Sequence, residues 1–170
     1  GDRRTSAAQA APLPAKPISL EERDIAVRTV LGEAAGESNA GMAAVALVLR
    51  NRSDDQRFPD SVGAVSTQPR QFSAWNADGS GNDLVSKYGP GSPQYERAAY
   101  IVDVVMAGLV PDFTEGATHY YSPAGMRALV DAGYQKNLVP SWLDRESAIR
   151  DSPSVRIGGH VFTGQVKDDG

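Results

Sequence analysis

Three stretches of the chain space their apolar residues as helices do. Ile25, Val27, Val30 and Leu31 form a stripe running to Gly32. Ahead of it, Ser19-Leu20-Glu21-Glu22 is a capping box, in which Ser19 caps the Glu22 amide and Glu22 reaches back. From Gly41 to Arg50 the residues are apolar on nearly every face, which predicts a helix in the middle of the core, capped by Ser38 or Asn39. Ser92-Pro93 supplies a cap followed by proline at the first helical position. Tyr95, Ala98, Ile101, Val102 and Val105 then carry a third helix that Gly108 terminates. A shorter helix is expected from Asp60 across Val62 and Val65. After the third helix the period changes: Ala117-Thr118-His119-Tyr120-Tyr121 reads as a short strand. Val155-Arg156-Ile157 and His160-Val161-Phe162 read as a hairpin around the two-residue turn Gly158-Gly159. Helices first and a small sheet after predict an α+β fold, a mainly helical domain with a small antiparallel β region.

The ends and one long interval follow neither period. Residues 1–18, rich in alanine and proline, read as a flexible linker, with the folded domain over 19–166 and a short tail over 167–170. Gln68 to Tyr88 reads as a loop centred on Asp78-Gly79-Ser80-Gly81-Asn82, and a loop of that length is either functional or mobile.

Charge and composition remove several classes of function. The 170 residues suit one domain, and the net charge of -4 with a pI near 5.1 comes without a basic stripe, so nucleic acid is not an expected partner. Without cysteine there is no disulfide, zinc-thiolate site or thiol nucleophile. His119 and His160 are the only histidines and lack the spacing of a zinc motif, so no metal is expected; a metal-dependent amidase built on them is the weaker reading. No G-x-S-x-G marks a serine nucleophile, and no glycine-rich strand-to-helix turn cradles a phosphate, so no cofactor is expected. No apolar run reaches the roughly 20 residues of a membrane span. The chain opens on Gly1 with no signal segment, the expectation being a processed product acting outside the cytoplasm whose targeting segment is out of view. A monomer is expected.

One stretch carries candidate chemistry. In Val30-Leu31-Gly32-Glu33-Ala34-Ala35-Gly36-Glu37 a carboxyl group, Glu33, stands at the end of one apolar helix and directly before another. Between two such helices, and near the negative end of a helix dipole, its charged form is disfavoured, which suits a proton donor at neutral pH. Aromatic residues in loops and short strands (Phe72, Trp75, Tyr88, Tyr120, Tyr121, Trp142) stand near amide and hydroxyl groups (Gln68, Gln71, Ser73, Asn76, Ser122). Sugars stack their apolar faces on rings and need fixed donors and acceptors for their hydroxyls, although the same composition describes an ordinary half-buried loop.

Six short motifs now stand in order: Gly-Glu-Ala-Ala-Gly-Glu at 32–37, Val-Leu-Arg-Asn-Arg at 48–52, Phe58-Pro59, Gln68-Pro69 with Gln71-Phe72-Ser73, Ala-Thr-His-Tyr-Tyr at 117–121, and Ile157-Gly158-Gly159-His160-Val161-Phe162. From about Arg23 to Phe162 the chain resembles the SleB/CwlJ-like cell wall hydrolases of the spore-cortex-lytic type. The resemblance implies a peptidoglycan-cleaving glycosidase, distantly similar in fold to lysozyme and the lytic transglycosylases, with Glu33 as the catalytic acid. Ala35 stands where members commonly carry arginine, and the stretch from Ala74 to Pro93 is longer than in compact members.

The expected reaction is cleavage of glycan strands between N-acetylmuramic acid and N-acetylglucosamine, with Glu33 as general acid and then base, giving a 1,6-anhydro product. A hydrolysing muramidase of endolysin type needs a second carboxylate. Glu37 is the nearest in sequence, but it shares a face with Glu33 only if one helix runs unbroken through Gly36; capping the next helix is its better role. A non-catalytic peptidoglycan-binding module is the remaining alternative. Gln71, Phe72, Ser73, His119, Tyr120, Tyr121 and Glu37 are the candidate substrate-binding residues.

Overall fold

Helix α1 (Leu20–Ala34) begins where the Ser19 hydroxyl accepts the Glu22 N–H at 3.1 Å. The Glu22 carboxylate does not reach back as a capping box requires. It crosses to α3 (Val62–Ser66) and accepts the Gly63 N–H at 3.0 Å, so one side chain ties two helix starts together. Ser61, and not Asp60, caps α3. α1 also runs past Gly32 to Ala34, which places Glu33 in its last turn. Ser38 caps α2 (Asn39–Ser53) through the Gly41 N–H, and Ser92 caps α4 (Pro93–Met106) through the Tyr95 N–H. The computed structural model describes residues 13–68, 75, 87–140, 142–143 and 154–164.

Every residue of α2 from Gly41 to Ser53 is buried, as expected of a helix apolar all round. Ala43, Ala44 and Ala46 keep its surface low, which lets α1 and α4 pack closely against it. Val27, Val30 and Leu31 of α1 and Ala98, Val102 and Val105 of α4 close the core around it. Beyond α4, Gly108 at φ +77° ends the helix, its N–H bonded to the Val105 carbonyl.

The last turn of α2 is polar yet buried, and successive residues, about 100° apart on a helix, leave in three directions. Arg50 donates to the Val105 carbonyl at 2.9 Å, at the C-terminal end of α4, and to the Pro14 carbonyl. Asn51 donates to Asp112 Oδ2 at 2.9 Å and to the Ala117 carbonyl at 3.0 Å. Arg52 donates to the Thr118 carbonyl at 2.6 Å. The helix thereby fixes the chain before α1, the turn after α4 and the start of the sheet.

The sheet comprises β1 (His119–Tyr121), β2 (Val155–Ile157) and β3 (His160–Thr163) in the order β1-β3-β2, all antiparallel. Tyr120 pairs with Phe162, and Ile157 with His160 across the Gly158-Gly159 turn. Phe162, fully buried, roots the sheet in the helical core. Between β1 and β2 lies a helix the sequence pattern did not predict, α5 (Pro123–Asp131), capped by Ser122, with Met126 its one buried residue.

Candidate active site

Glu33 projects from the last turn of α1, and its Oε1 accepts the Tyr120 phenol O–H at 2.7 Å. The two residues meet because Tyr120, paired with Phe162, faces inward from β1. Its ring lies 5.4 Å from that of Phe162 and meets the His160 ring edge-on at 5.1 Å. Burial, then the facing Glu33 charge and the hydrogen bond to it, hold the phenol pKa well above its ordinary value, so Tyr120 stays a neutral donor.

Arg52 completes the charge balance. Burial lowers its guanidinium pKa to about 10, against the pull of Tyr120 and Glu33, so it remains cationic at neutral pH. It is held between the Thr118 carbonyl and the Phe58 ring, 4.8 Å away. Sequence reasoning did not single it out as a site residue. Its signal was the polar last turn, Arg50-Asn51-Arg52, that closes a helix apolar on nearly every face.

One helical turn before Glu33, the buried Thr29 accepts the Trp75 indole N–H at 2.8 Å. Trp75, half-buried, therefore lies along the face of α1 that carries Glu33.

The other candidates divide between the two faces of the sheet. His119 and Tyr121 point away from Tyr120, as period two requires, and pack on Trp142 at 5.0 and 6.2 Å between ring centres. Burial, with Arg52 and Arg57 nearby, lowers the His119 pKa to about 4, so this ring is neutral at pH 7. Glu37 lies beyond α1, where Oε1 accepts the Gly159 N–H at 3.0 Å, 3.8 Å from His160 Nδ1. Thus Tyr120 joins Glu33 directly, while His119 and Tyr121 do not. Gln71, Phe72 and Ser73 lie outside the described residues. Among the described residues no group of three or more His, Asp or Glu side chains is placed to hold a metal ion; His119 and His160 pack in different clusters.

A family model described as cell wall hydrolase matches residues 36–163, well over half of the chain. The chain belongs to this family. Over 148 residues the cell wall hydrolase domain is 34% identical to a spore cortex-lytic enzyme of Halalkalibacterium halodurans, covering 86% of this chain and 36% of that one. A second spore cortex-lytic enzyme, from Oceanobacillus iheyensis, is 43% identical over 60 residues, which are 34% of this chain and 22% of that one. The chain thus spans about a third or less of the length of these curated relatives. Two solved structures share the fold at 26% identity. The catalytic domain of the germination-specific lytic transglycosylase SleB from Bacillus anthracis aligns with a TM-score of 0.59, covering 86% of this chain and 96% of that one. The catalytic domain of Bacillus cereus SleB aligns with a TM-score of 0.60, covering 96% and 99%. The cell wall hydrolase chain therefore has the fold of a SleB catalytic domain, lysozyme-like and of lytic transglycosylase type.

Proposed function

We propose that this domain cleaves peptidoglycan glycan strands as a lytic transglycosylase, with Glu33 as its single acid and base. The observation that carries this reading is the Glu33–Tyr120 pair: a carboxyl group at a helix end, with a phenol donor on one oxygen and a buried arginine beside it, in a domain that aligns with nearly the whole of two SleB catalytic domains. Protonated Glu33 gives its proton to the glycosidic oxygen as the bond from C1 of N-acetylmuramic acid breaks and an oxocarbenium-like centre forms. The N-acetylglucosamine hydroxyl leaves. The Glu33 carboxylate then takes the proton of the muramic acid 6-hydroxyl, O6 bonds to C1, and Glu33 is protonated again with no water consumed. Tyr120 and Arg52 favour the carboxylate between the two proton transfers.

The engagement of Glu37 supports one carboxylate over two. Its Oε1 is committed to the hairpin turn, which leaves it poorly suited to the nucleophile or base of an ordinary glycosidase. The wall polymer lies outside the cytoplasm, so the domain acts there; no described helix is long and apolar enough to cross a membrane.

The test is mass spectrometry of the fragments released from purified peptidoglycan by the protein and by Glu33→Gln. Anhydro-muropeptides from the parent, falling at least about 100-fold in the variant, are expected, since general acid–base catalysis supplies roughly 10²–10⁴-fold. Reducing-end products would show hydrolysis instead, and binding without fragments would show a module that only holds the glycan.

A further inference from the structure

The side chain of Glu37 is built into the sheet. A Cβ on Gly158 would fall 2.6 Å from Glu37 Oε1, and one on Gly159 would fall 3.2 Å from Oε2, so the turn approaches the carboxylate as closely as glycine permits. Gly158 also has φ +57°, which a side chain rarely adopts. On the helix side, a Cβ on Gly41 would lie 2.8 Å from Glu37 Cβ, so the α2 start leaves Glu37 little room to move. His160 follows the turn. Its Nδ1 is buried without a hydrogen-bond partner, 3.8 Å from Glu37 Oε1, and its ring lies edge-on against Tyr120. Tyr120 in turn donates to Glu33. Strands of three and four residues are marginal alone, and the charge-assisted bond to their turn adds to the anchoring that Phe162 and Arg52 give them.

We propose that Glu37 is a positioning residue: by gripping the Gly158-Gly159 turn it seats His160 against Tyr120, and so aims the phenol that holds Glu33. This rests on the transglycosylase reading for its kinetic consequence, but not for its geometry. A misplacement of about 1 Å remote from the chemistry can cost on the order of 100-fold. Glu37 therefore affects turnover more than substrate affinity.

The experiment compares Glu37→Ala, Glu37→Gln, Tyr120→Phe and the Glu37→Ala/Tyr120→Phe pair on soluble glycan strands. Circular dichroism checks each fold. Glu37→Ala is expected to lower kcat roughly 10- to 100-fold with KM little changed. Glu37→Gln recovers most of the loss, because an amide oxygen also accepts the Gly159 N–H. In the Tyr120→Phe background, Glu37→Ala costs little more, the sign of two residues acting through one contact. A residue that merely stiffened the hairpin would give a loss that adds in full to that of Tyr120→Phe. Wild-type kcat in Glu37→Ala, or losses that add, overturns the proposal. Should Glu37→Ala not fold, Glu37→Asp, which keeps the charge and shortens the reach, is read by the same criteria. NMR of ring-labelled tyrosine supplies an activity-free reading: the Tyr120 resonance is expected to move in Glu37→Ala as in Glu33→Gln, and an unmoved resonance overturns the brace. If the parent releases no glycan product, the transglycosylase reading fails alone, because the resonance still reports whether Glu37 seats Tyr120.

Discussion

His119 and Tyr120 are adjacent in sequence and meet opposite surroundings, because a strand sends successive side chains to opposite faces. Tyr120 faces a carboxylate and stays protonated, whereas His119 faces Arg52 and Arg57 from a partly buried site and stays neutral. The histidine has a consequence for stability. Its pKa is about 4 when folded and about 6.5 when unfolded, so between these values the unfolded chain binds more protons and stability falls as pH falls. Urea unfolding at pH 7 and pH 5 is expected to show this loss, roughly 1 kcal/mol after solvent screening of a partly exposed ring, and His119→Gln is expected to remove it. At this scale Glu33 was legible in the sequence, since a carboxylate amid small residues at a helix end is conspicuous. Its partner was not. Tyr120 stands 87 residues away, and nothing in the local pattern of either residue names the other.

At the scale of elements, helix starts were legible and the destinations of their side chains less so. Ser19, Ser38 and Ser92 each take an amide three residues on, as their spacing requires. Glu22 met the capping-box pattern yet bonds α3, because a tertiary partner, the Gly63 N–H, competes with the local one. Glu22→Ala is expected to cost about 1 kcal/mol, seen as a fall of roughly 2–4 °C in Tm. The exposed neighbour is a control, and Glu21→Ala should stay within about 0.5 kcal/mol. α5 was overlooked although Ser122-Pro123 repeats the signal of Ser92-Pro93. Its apolar stripe, Met126, Leu129 and Val130, has helical spacing but spans little more than one turn, and only Met126 of it is buried.

Across the whole molecule, the polar end of α2 gathers the parts. Arg50 and Lys16 draw Leu13 to Ile18 onto the helices: Arg50 holds the Pro14 carbonyl, the Lys16 N–H bonds the Met106 carbonyl at 2.7 Å, and Lys16 Nζ pairs with Asp54 at 2.7 Å. Leu13 and Ile18 pack on the core. Removing residues 1–18 is expected to cost about 2–4 kcal/mol from these bonds and this apolar area, lowering Tm by roughly 5–15 °C in a calorimetric scan. The alanine and proline content that reads as linker gives no hint of this docking, because the contacts are made by its backbone groups and by Leu13, Lys16 and Ile18, not by its alanines.

The Glu33–Tyr120 and Glu37–Gly159 contacts join positions 87 and 122 residues apart. Synthesis therefore delivers the carboxylates long before the strands that aim them, and contacts so remote in sequence are among the last a folding chain closes. A chain interrupted before the C-terminal hairpin carries Glu33 without its brace. On the proposed function, the site for glycan cleavage is complete only once β3 is in place.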